Sequence, residues 1–538
     1  MPGRLRLGRG KKAVAPEHGG RRPGPTGQLL EGNRRRGAGN PRISTGACEE
    51  KRRHQRKPVS SHRDPFRAST ILSVIPAVGA GAEFCHGLPA AETSWRRRGL
   101  RVACGEAYEL SRGGVIMHAG WGTVRQSWIV VLAAVFAVSC DGSTGPSSFE
   151  PGPLGTVTIL RGESVRIRSL LAMTGAPSLG VAARRGVELA VRDVGTVRGR
   201  SVDLGDPVDS GCSPDGGRAG AREIVADPQV VGVIGTSCSA AAVAASPVIS
   251  RAGFAMIAPS TTSPVLTSDL AGTPSPDHHP GYFRVANNDL YQARALADFA
   301  YSHLGLRRIV TLHDGDPYTT ALTNAFGDAF RAVGGEVPVA TGIAKGQTDM
   351  TSVLAEFAAA GPDGIFFPLF VPEGSPFAAQ ARGFDGLEGA TLISGAALLV
   401  SEFLAEPQSE GIYFAGPQSD YRGNVNAVTG KSAKTVSAAY NAEYGEHPST
   451  PYWALAYDAT TFLLDAIGAV AVEEGGRLYI DRAALRARIG AHGIEGLIGT
   501  ISCDAFGDCG TGRQLIYHHT DSSVTDVDRL PVVYRFSP

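Results

Sequence analysis

Hydroxyl side chains cluster near the end of one strongly apolar segment. Val230–Gly235 is a continuous apolar run typical of a buried strand, and Ser239 follows it at the start of a helix-like segment that ends at Arg251. Unpaired backbone N–H groups and the positive end of the helix dipole at such a position favour an anion, so we expect a carboxylate there. The alternative is that Ser239 acts only as a helix N-cap and that Thr261 and Thr262 are only turn residues.

Cysteines supply a second kind of chemistry. Four follow Cys140, namely Cys212, Cys238, Cys503 and Cys509, and an even number indicates disulfides in an oxidising compartment. Three pairings are possible, and the sequence alone does not decide among them. The short spacing in CDAFGDC favours a local link between Cys503 and Cys509, which would leave Cys212 with Cys238. A metal site is the weaker alternative, because no His stands at ligand spacing beside either pair.

The sequence has none of the common catalytic motifs. It has no G-x-S-x-G elbow, no H-E-x-x-H and no P-loop lysine motif. The pairs His278-His279 and His518-His519 suggest a metal, but neighbouring residues on a strand point to opposite faces. We therefore expect a protein that is not an enzyme, with no cofactor and no metal.

A hydrophobic run divides the chain at Met117–Cys140. Its apolar core, Trp128–Val138, is followed by small residues, and a core this short is typical of a secretory signal rather than of a permanent membrane helix. The letters AVSC at 137–140 resemble the lipobox of bacterial lipoproteins. That resemblance implies that Cys140 is acylated and anchors an exported protein to a membrane, facing the periplasm or the cell exterior. A transmembrane anchor, or a buried helix with an incidental Cys, is the alternative.

The segment before this run differs in composition from the rest. Residues 1–116 contain 23 Lys and Arg against 9 Asp and Glu, whereas residues 117–538 contain 29 against 42. The first segment is rich in Arg, Gly and Pro and cannot form much of a core. We favour a start at Met117 with residues 1–116 untranslated; a disordered basic extension is the alternative. A nucleic-acid-binding arm is hard to reconcile with export, so no nucleic-acid partner is expected. The small, polar residues 141–163 predict a flexible tether.

Beyond the tether, apolar runs alternate with helix-like segments, which is the pattern of a parallel sheet flanked by helices. One series extends over 165–258 and a second over 289–394. The exported part, about 400 residues, is too long for a single hydrophobic core. The expected fold class is therefore α/β, with two doubly wound, Rossmann-like lobes and a hinge near Phe283–Asp289.

Five segments in order resemble the leucine/isoleucine/valine-binding proteins, the branched-chain amino-acid type of periplasmic binding protein. They are VVGVIGTSCSAAAVAASPVISRAGFAMIAPSTTSPVLT at 230–267, AMTGAPSLGVAARRGVELAV at 172–191, DSGCSPDGGRAGAREIV at 209–225, FRVANNDLYQARALADF at 283–299 and TLHDGDPYTTAL at 311–322. The resemblance implies a type I fold with a three-segment hinge. Lobe 1 would contain residues 164–287 and about 416–495, and lobe 2 would contain 288–415 and about 496–538. The resemblance also implies a disulfide between Cys212 and Cys238.

The resemblance places a ligand in the cleft between the lobes. In that family the serine matching Ser239 and the groups matching Ser260 to Thr262 hold the ligand's carboxylate. On the opposite lobe, Tyr318 and Asp289 match positions that face the ligand or the hinge.

Three positions depart from the family pattern. The tyrosine expected in a strand-end loop is Phe370, an aromatic residue lining the cleft is replaced by Leu179, and the acidic residue that receives the ligand's ammonium group falls at Ala396. Burying an unpaired ammonium costs roughly several kcal/mol. Either Asp289 or Glu373 supplies the missing charge, or the ligand lacks an α-ammonium group.

The leading functional prediction is a lipid-anchored substrate-binding protein of an ABC transporter. It would close over an amino acid, amide, short peptide or organic acid and deliver it to a permease in the membrane. The alternative is a lipoprotein sensor or interaction module with a vestigial ligand cleft.

Overall fold

The structure, a computed structural model, describes residues 149–538. The basic segment 1–116, the hydrophobic run and Cys140 lie outside the described residues. Within 149–538, no helix is both long enough and apolar enough to cross a bilayer.

The first part of the described chain forms one sheet with its covering helices. Strand β1 (Thr156–Ile159) comes first and lies outside this sheet. The strands of the sheet are β2 (Val165–Leu171), β3 (Thr196–Val197), β4 (Arg200–Asp203), β5 (Val208–Asp209), β6 (Val230–Gly235), β7 (Ala255–Ala258) and β8 (Tyr282–Arg284). Its helices are α1 (Pro177–Val194), α2 (Pro214–Val225) and α3 (Ser239–Arg251). Every residue of β6 is buried, as expected for a central strand covered on both faces.

The next part of the chain forms a second sheet. Its strands are β9 (Ile309–His313), β10 (Ala340–Gly342), β11 (Gly364–Phe366), β12 (Thr391–Ser394) and β13 (Tyr413–Pro417). Its helices are α4 (Asp289–Asp298), α5 (Pro317–Ala332), α6 (Thr351–Ala360), α7 (Val371–Ala381) and α8 (Ser401–Leu404).

The last part of the chain packs a helix on the first sheet and adds two strands to the second. Its helices are α9 (Ala433–Tyr444), α10 (Tyr452–Val470) and α11 (Arg482–Ala491), and its strands are β14 (Val472–Glu474), β15 (Arg477–Asp481), β16 (Ile494–Gly496), β17 (Gly499–Ile501), β18 (Gln514–His518) and β19 (Val532–Phe536). Helix α10 packs on α1 and on strands β6 and β7. Gly186 permits this contact, because a Cβ there would collide with the carbonyl oxygen of Trp453.

The order of strands defines two lobes. In lobe 1 the order is β3-β4-β2-β6-β7-β8, and β2, β4, β6, β7 and β8 are parallel. In lobe 2 the order is β10-β9-β11-β12-β13-β18-β19, parallel as far as β13 and antiparallel beyond it. The chain therefore passes between the lobes three times, after β8, after β13 and after β17. Both doubly wound lobes and the three-segment hinge are as predicted.

The prediction of a flexible tether over 141–163 is wrong for residues 156–159, which form strand β1. Strand β1 pairs antiparallel with β15, with Thr156 opposite Asp481. Val157 and Ile159 on the same strand are buried in the core. Their alternation with less buried neighbours is the period-2 pattern of a strand. Residues 156–159 thus belong to the folded part of the protein.

Two disulfides stabilise the described chain. Cys212 is joined to Cys238, 26 residues apart, and Cys503 to Cys509, 6 residues apart. This is the pairing that the sequence favoured. The first link connects the start of α3 to the loop before α2, and the second closes a small loop between β17 and β18.

Candidate functional site

A small cavity lies between the lobes, where the parallel strands of both sheets end. It is lined by Leu179, Ser237, Cys238, Ser239, Ser260, Thr262, Tyr318, Phe370, Ala397 and Tyr452. Crevices outside the carboxyl ends of parallel strands are where open α/β sheets bind ligands. The cavity measures about 20 Å³, which is room for about one water molecule. The structure therefore shows the cleft closed.

Several hydrogen bonds join the lobes beside the cleft. The hydroxyl of Ser263 in lobe 1 donates to the carbonyl oxygen of Pro317 in lobe 2 at 2.9 Å. At the mouth of the cleft, the hydroxyl of Ser178 in lobe 1 donates to Glu402 in lobe 2 at 2.8 Å. These contacts must break when the cleft opens to admit a ligand.

One side of the cavity is a polar wall. It consists of four hydroxyl residues of lobe 1, Ser237, Ser239, Ser260 and Thr262. Cys238 is the N-cap residue of α3, and its side chain makes no capping hydrogen bond. The N–H groups of the first helical turn have no partner within the helix, and they lie at this wall. Together with the helix dipole they favour an anion here.

The hydroxyl groups of the polar wall are held in place by local hydrogen bonds. The oxygen of Ser239 accepts from the backbone N–H of Ser263 at 3.3 Å. The hydroxyl of Ser260 donates to the carbonyl oxygen of Ser237 at 3.2 Å, and that of Thr262 donates to Asp289 at 2.9 Å. Ser239 does not cap its own helix, so the N-cap alternative for this residue is wrong.

The opposite side is an apolar wall, formed by Tyr318, Phe370 and Ala397 of lobe 2. The rings of Tyr318 and Phe370 lie 5.5 Å apart, centroid to centroid, at an angle of 58°. The phenol oxygen of Tyr318 accepts a hydrogen bond from the backbone N–H of Ala397 at 3.4 Å. Burial raises the pKa of Tyr318 well above its usual value, so the phenol stays neutral. Leu179 and Tyr452 of lobe 1 complete the apolar lining.

Six of the nine predicted ligand-binding residues line this cavity, and three do not. Thr261 is turned away, because its hydroxyl forms a 2.5 Å hydrogen bond with the hydroxyl of Tyr282. Ala396 is buried at the start of a single 3₁₀ turn, and its neighbour Ala397 lines the cavity in its place. Asp289 lies behind the polar wall, in contact with Thr262.

Asp289 is an acidic residue that is hydrogen-bonded directly to the polar wall. Its Oδ2 accepts from Thr262, and its Oδ1 has no hydrogen-bond partner among residues 149–538. Burial raises the pKa of this carboxyl to about 7. Glu373 is also buried, but it does not line the cavity, and one of its oxygens accepts from the backbone N–H of Gly346 at 2.7 Å.

Four lining residues escaped the sequence prediction, namely Ser237, Cys238, Ala397 and Tyr452. Tyr452 stands at the start of α10, in the part of the chain that returns to lobe 1. Nothing in its local sequence indicates a ligand site, because its position depends on how α10 packs on α1. Ser237 and Cys238 precede Ser239 directly in the sequence, so their place beside the site could have been predicted.

A buried arginine connects the polar wall to the hinge. Arg284, at the end of β8, has no exposed surface and donates to the carbonyl oxygen of Ser263 at 2.7 Å and to the hydroxyl of Thr267 at 2.6 Å. It also pairs with Asp508 in the loop closed by the second disulfide. Asn288 donates to the same carboxylate at 3.1 Å. The first and third connections between the lobes are therefore tied to the loop that carries the polar wall.

A larger cavity of about 670 Å³ lies elsewhere, between the loop at 419–424, helix α9 and Asp528. None of the predicted site residues lines it.

Two lobes with three connections and a small cavity between them are the architecture of a two-lobe binding protein. The sequence comparison is consistent with this class. Residues 164–511 match the model of the family described as periplasmic binding protein. The chain belongs to this family.

Relatives of known structure or description support the assignment. An amino acid binding protein of Pseudomonas aeruginosa is 27% identical over 39% of this chain, and the match spans 54% of that protein, about half its length. The structure of a leucine-binding protein of Thermotoga maritima is 25% identical, covers 70% of this chain and 99% of its own, and superposes with a TM-score of 0.59. A solute-binding protein of Rhodopseudomonas palustris, solved with benzoate, is 21% identical, with coverages of 70% and 97% and a TM-score of 0.57.

Proposed function

We propose that this protein is the substrate-binding component of an ABC transporter and that its cleft binds a small carboxylate that lacks an α-ammonium group. One observation carries the proposal, which is the contrast between the two walls of the cavity. The polar wall offers a helix N-terminus to an anion, together with the O–H groups of Ser237 and Ser239, whose oxygens accept hydrogen bonds within the wall. The apolar wall offers two aromatic rings and an alanine, and no carboxylate.

The closed cavity makes this contrast energetically important. An ammonium group enclosed against Tyr318, Phe370 and Ala397 would lose its hydration without gaining a counter-ion, at a cost of roughly several kcal/mol. Asp289 is engaged with Thr262 and does not line the cavity. The fold itself does not require an ammonium group in its ligand, since it holds benzoate in the R. palustris protein.

A matched pair of ligands tests the proposal. Leucine and 4-methylpentanoate share the same carbon skeleton and carboxylate and differ only in the ammonium group. We expect 4-methylpentanoate to raise the melting temperature and to bind at least about tenfold more tightly than leucine in a calorimetric titration, which is about 1.4 kcal/mol. Tighter binding of leucine would overturn the proposal and would assign the ammonium group to Asp289.

Substitutions in the polar wall test where the ligand binds. Ser239→Ala combined with Thr262→Ala removes the free O–H of Ser239 and the neighbouring hydroxyl that is bonded to Asp289. Carboxylate binding should weaken by about tenfold or more, since a hydrogen bond to a charged group contributes about 1.5–3 kcal/mol. The control is Thr341→Ala combined with Ser437→Ala, neither of which lines this cavity. Equal affinity in both double variants would mean that the carboxylate lies elsewhere.

We also propose that Cys140 is acylated and anchors the protein to a membrane beside its permease. The sequence of the hydrophobic run supports this proposal. Cys140→Ser should move the protein from the membrane fraction to the soluble fraction after cell lysis. Retention of the variant in membranes would contradict the anchor and leave the ligand proposal untouched.

A broad ligand panel without a single hit would favour the alternative function, a lipoprotein sensor or interaction module.

A further inference from the structure

An outer chamber adjoins the closed cavity at the mouth of the cleft. It measures about 280 Å³ and is lined by Gly175, Ala176, Pro177, Ser178, Leu179, Phe370, Val371, Pro372, Ala397, Val400 and Glu402. Most of these side chains are apolar. The walls come from the start of α1 in lobe 1 and from the start of α7 and the region of α8 in lobe 2.

The outer chamber and the inner cavity share part of their lining. Leu179, Phe370 and Ala397 line both. These three residues therefore stand between the two spaces. The inner cavity, at about 20 Å³, admits only a small head group. The rest of any larger ligand must lie in the outer chamber, whose volume approaches that of ordinary small-molecule sites.

We propose that the ligand is a monocarboxylate whose apolar tail passes between Leu179 and Phe370 into the outer chamber. The proposal rests on the proposed function and specifies its ligand class. The carboxylate lies at the polar wall, and the tail lies against Ala176, Val371 and Val400. Leu179 determines specificity, because its side chain stands where the head group ends and the tail begins.

Glu402 determines what the far end of the tail can carry. Its carboxylate lies at the rim of the outer chamber, hydrogen-bonded to Ser178. A second carboxylate on the ligand would meet this like charge. The nearby cation Lys345, 4.8 Å from the Phe370 ring, is paired with Asp314 at 2.9 Å and does not offset it. The site should therefore select monocarboxylates over dicarboxylates of the same length.

The first experiment measures affinity along the straight-chain series from butanoate to decanoate by calorimetric titration of the purified protein. Each methylene that enters the outer chamber should raise the affinity about fourfold, until the tail reaches the rim. Affinity that does not change with tail length, while butanoate binds, would overturn the tail proposal and leave the proposed function standing. No binding anywhere in the series would instead overturn the proposed function.

Leu179→Trp tests the passage. The larger side chain should abolish the gain in affinity along the series. Leu160→Trp is the control, because Leu160 is exposed and distant from the lining of both chambers. Ala176→Phe, at the wall of the outer chamber, provides a second variant that does not touch the inner cavity. An unchanged length dependence in both cleft variants would overturn the path proposed for the tail.

Glu402→Gln tests the rim. The unaltered protein should bind octanoate about tenfold more tightly than octanedioate, and the variant should reduce that ratio to about threefold or less, as for partly exposed charges. Glu356→Gln, on the exposed face of α6, should leave the ratio unchanged. A ratio near one in the unaltered protein would contradict the role of Glu402.

Discussion

The two walls of the cleft differ in chemistry and in the way they are built. The polar wall comes from consecutive strand ends of lobe 1, and its hydroxyl groups are held by hydrogen bonds to Ser263, Ser237 and Asp289. The apolar wall comes from three separate strand ends of lobe 2 and is held by packing, with one hydrogen bond between Tyr318 and Ala397. Under the proposed function, anion recognition is therefore concentrated on one lobe.

This difference suggests an order of events in ligand binding. A carboxylate can bind lobe 1 while the cleft is open, because the hydroxyl groups and the start of α3 belong to that lobe alone. Lobe 2 then adds contact area and excludes water. A ligand shifts the equilibrium towards the closed state only by its extra affinity for that state. Here that extra affinity would come mainly from apolar contact with lobe 2.

The largest expected effect comes from breaking the support of the polar wall. Arg284→Met removes the donor to Ser263 and Thr267 and leaves Asp508 buried without its counter-ion. Removing one partner of a buried ion pair typically costs about 3–5 kcal/mol. Chemical denaturation should show a loss of that size, together with weaker carboxylate binding in the protein that remains folded.

A surface ion pair provides the control for Arg284. Arg166 pairs with Asp227 at 3.3 Å, and both side chains are partly exposed. Arg166→Met should cost no more than about 1 kcal/mol and should leave ligand affinity unchanged. Similar losses in the two variants would show that Arg284 has no special role in supporting the polar wall.

The protonation of Asp289, behind the polar wall, makes the stability of the folded protein depend on pH. Its pKa is about 7 in the folded protein, against about 3.9 for an unperturbed Asp. Because the folded state holds the proton more tightly, the stability from this group is complete below pH 4 and is lost as the pH rises to 7. The loss is at most about 4 kcal/mol. Arg284 lowers this pKa, and Asp508 raises it, but burial is the largest cause.

Asp289→Asn should remove this pH dependence. Denaturation of both proteins between pH 4 and pH 8 should show the variant gaining stability relative to the unaltered protein as the pH rises. A carboxylate ligand should also bind the unaltered protein less tightly above pH 7, because ionised Asp289 repels it through Thr262. A difference in stability that stays constant with pH would mean that Asp289 is already ionised at pH 4.

Opening each disulfide in turn distinguishes the contribution of the polar wall from that of the hinge. Cys212→Ser with Cys238→Ser opens a link between residues 26 apart, and Cys503→Ser with Cys509→Ser opens one between residues 6 apart. Chain-entropy arguments give costs of about 3.5 and 2 kcal/mol. Since Cys238 lines the cavity, only the first pair should also weaken ligand binding. Equal losses of affinity in both pairs would show that the hinge loop controls the cleft as strongly as the wall does.

Most of the polar wall was predictable from the sequence, because it lies within one segment. Strand β6, the start of α3 and the loop after β7 are local features that apolar runs and the family resemblance locate well. The apolar wall was harder to predict, since its residues come from distant strand ends and their side chains depend on loop conformation. Ala396 lies in such a loop, where its neighbour Ala397 lines the cavity, and Tyr452 reaches the cavity only because α10 packs against α1.

The smallest expected effect comes from introducing a carboxylate into the apolar wall at one position. Ala397→Asp places a carboxylate opposite the polar wall, where it can pair with an ammonium group. We expect leucine to gain about tenfold in affinity relative to 4-methylpentanoate, about 1.4 kcal/mol, as measured by parallel titrations. Ala397→Asn is the matched control, because it adds nearly the same volume without the charge. If the Asn variant shows the same change in preference, cavity shape rather than charge distinguishes the two ligands, and the contrast between the walls does not explain specificity.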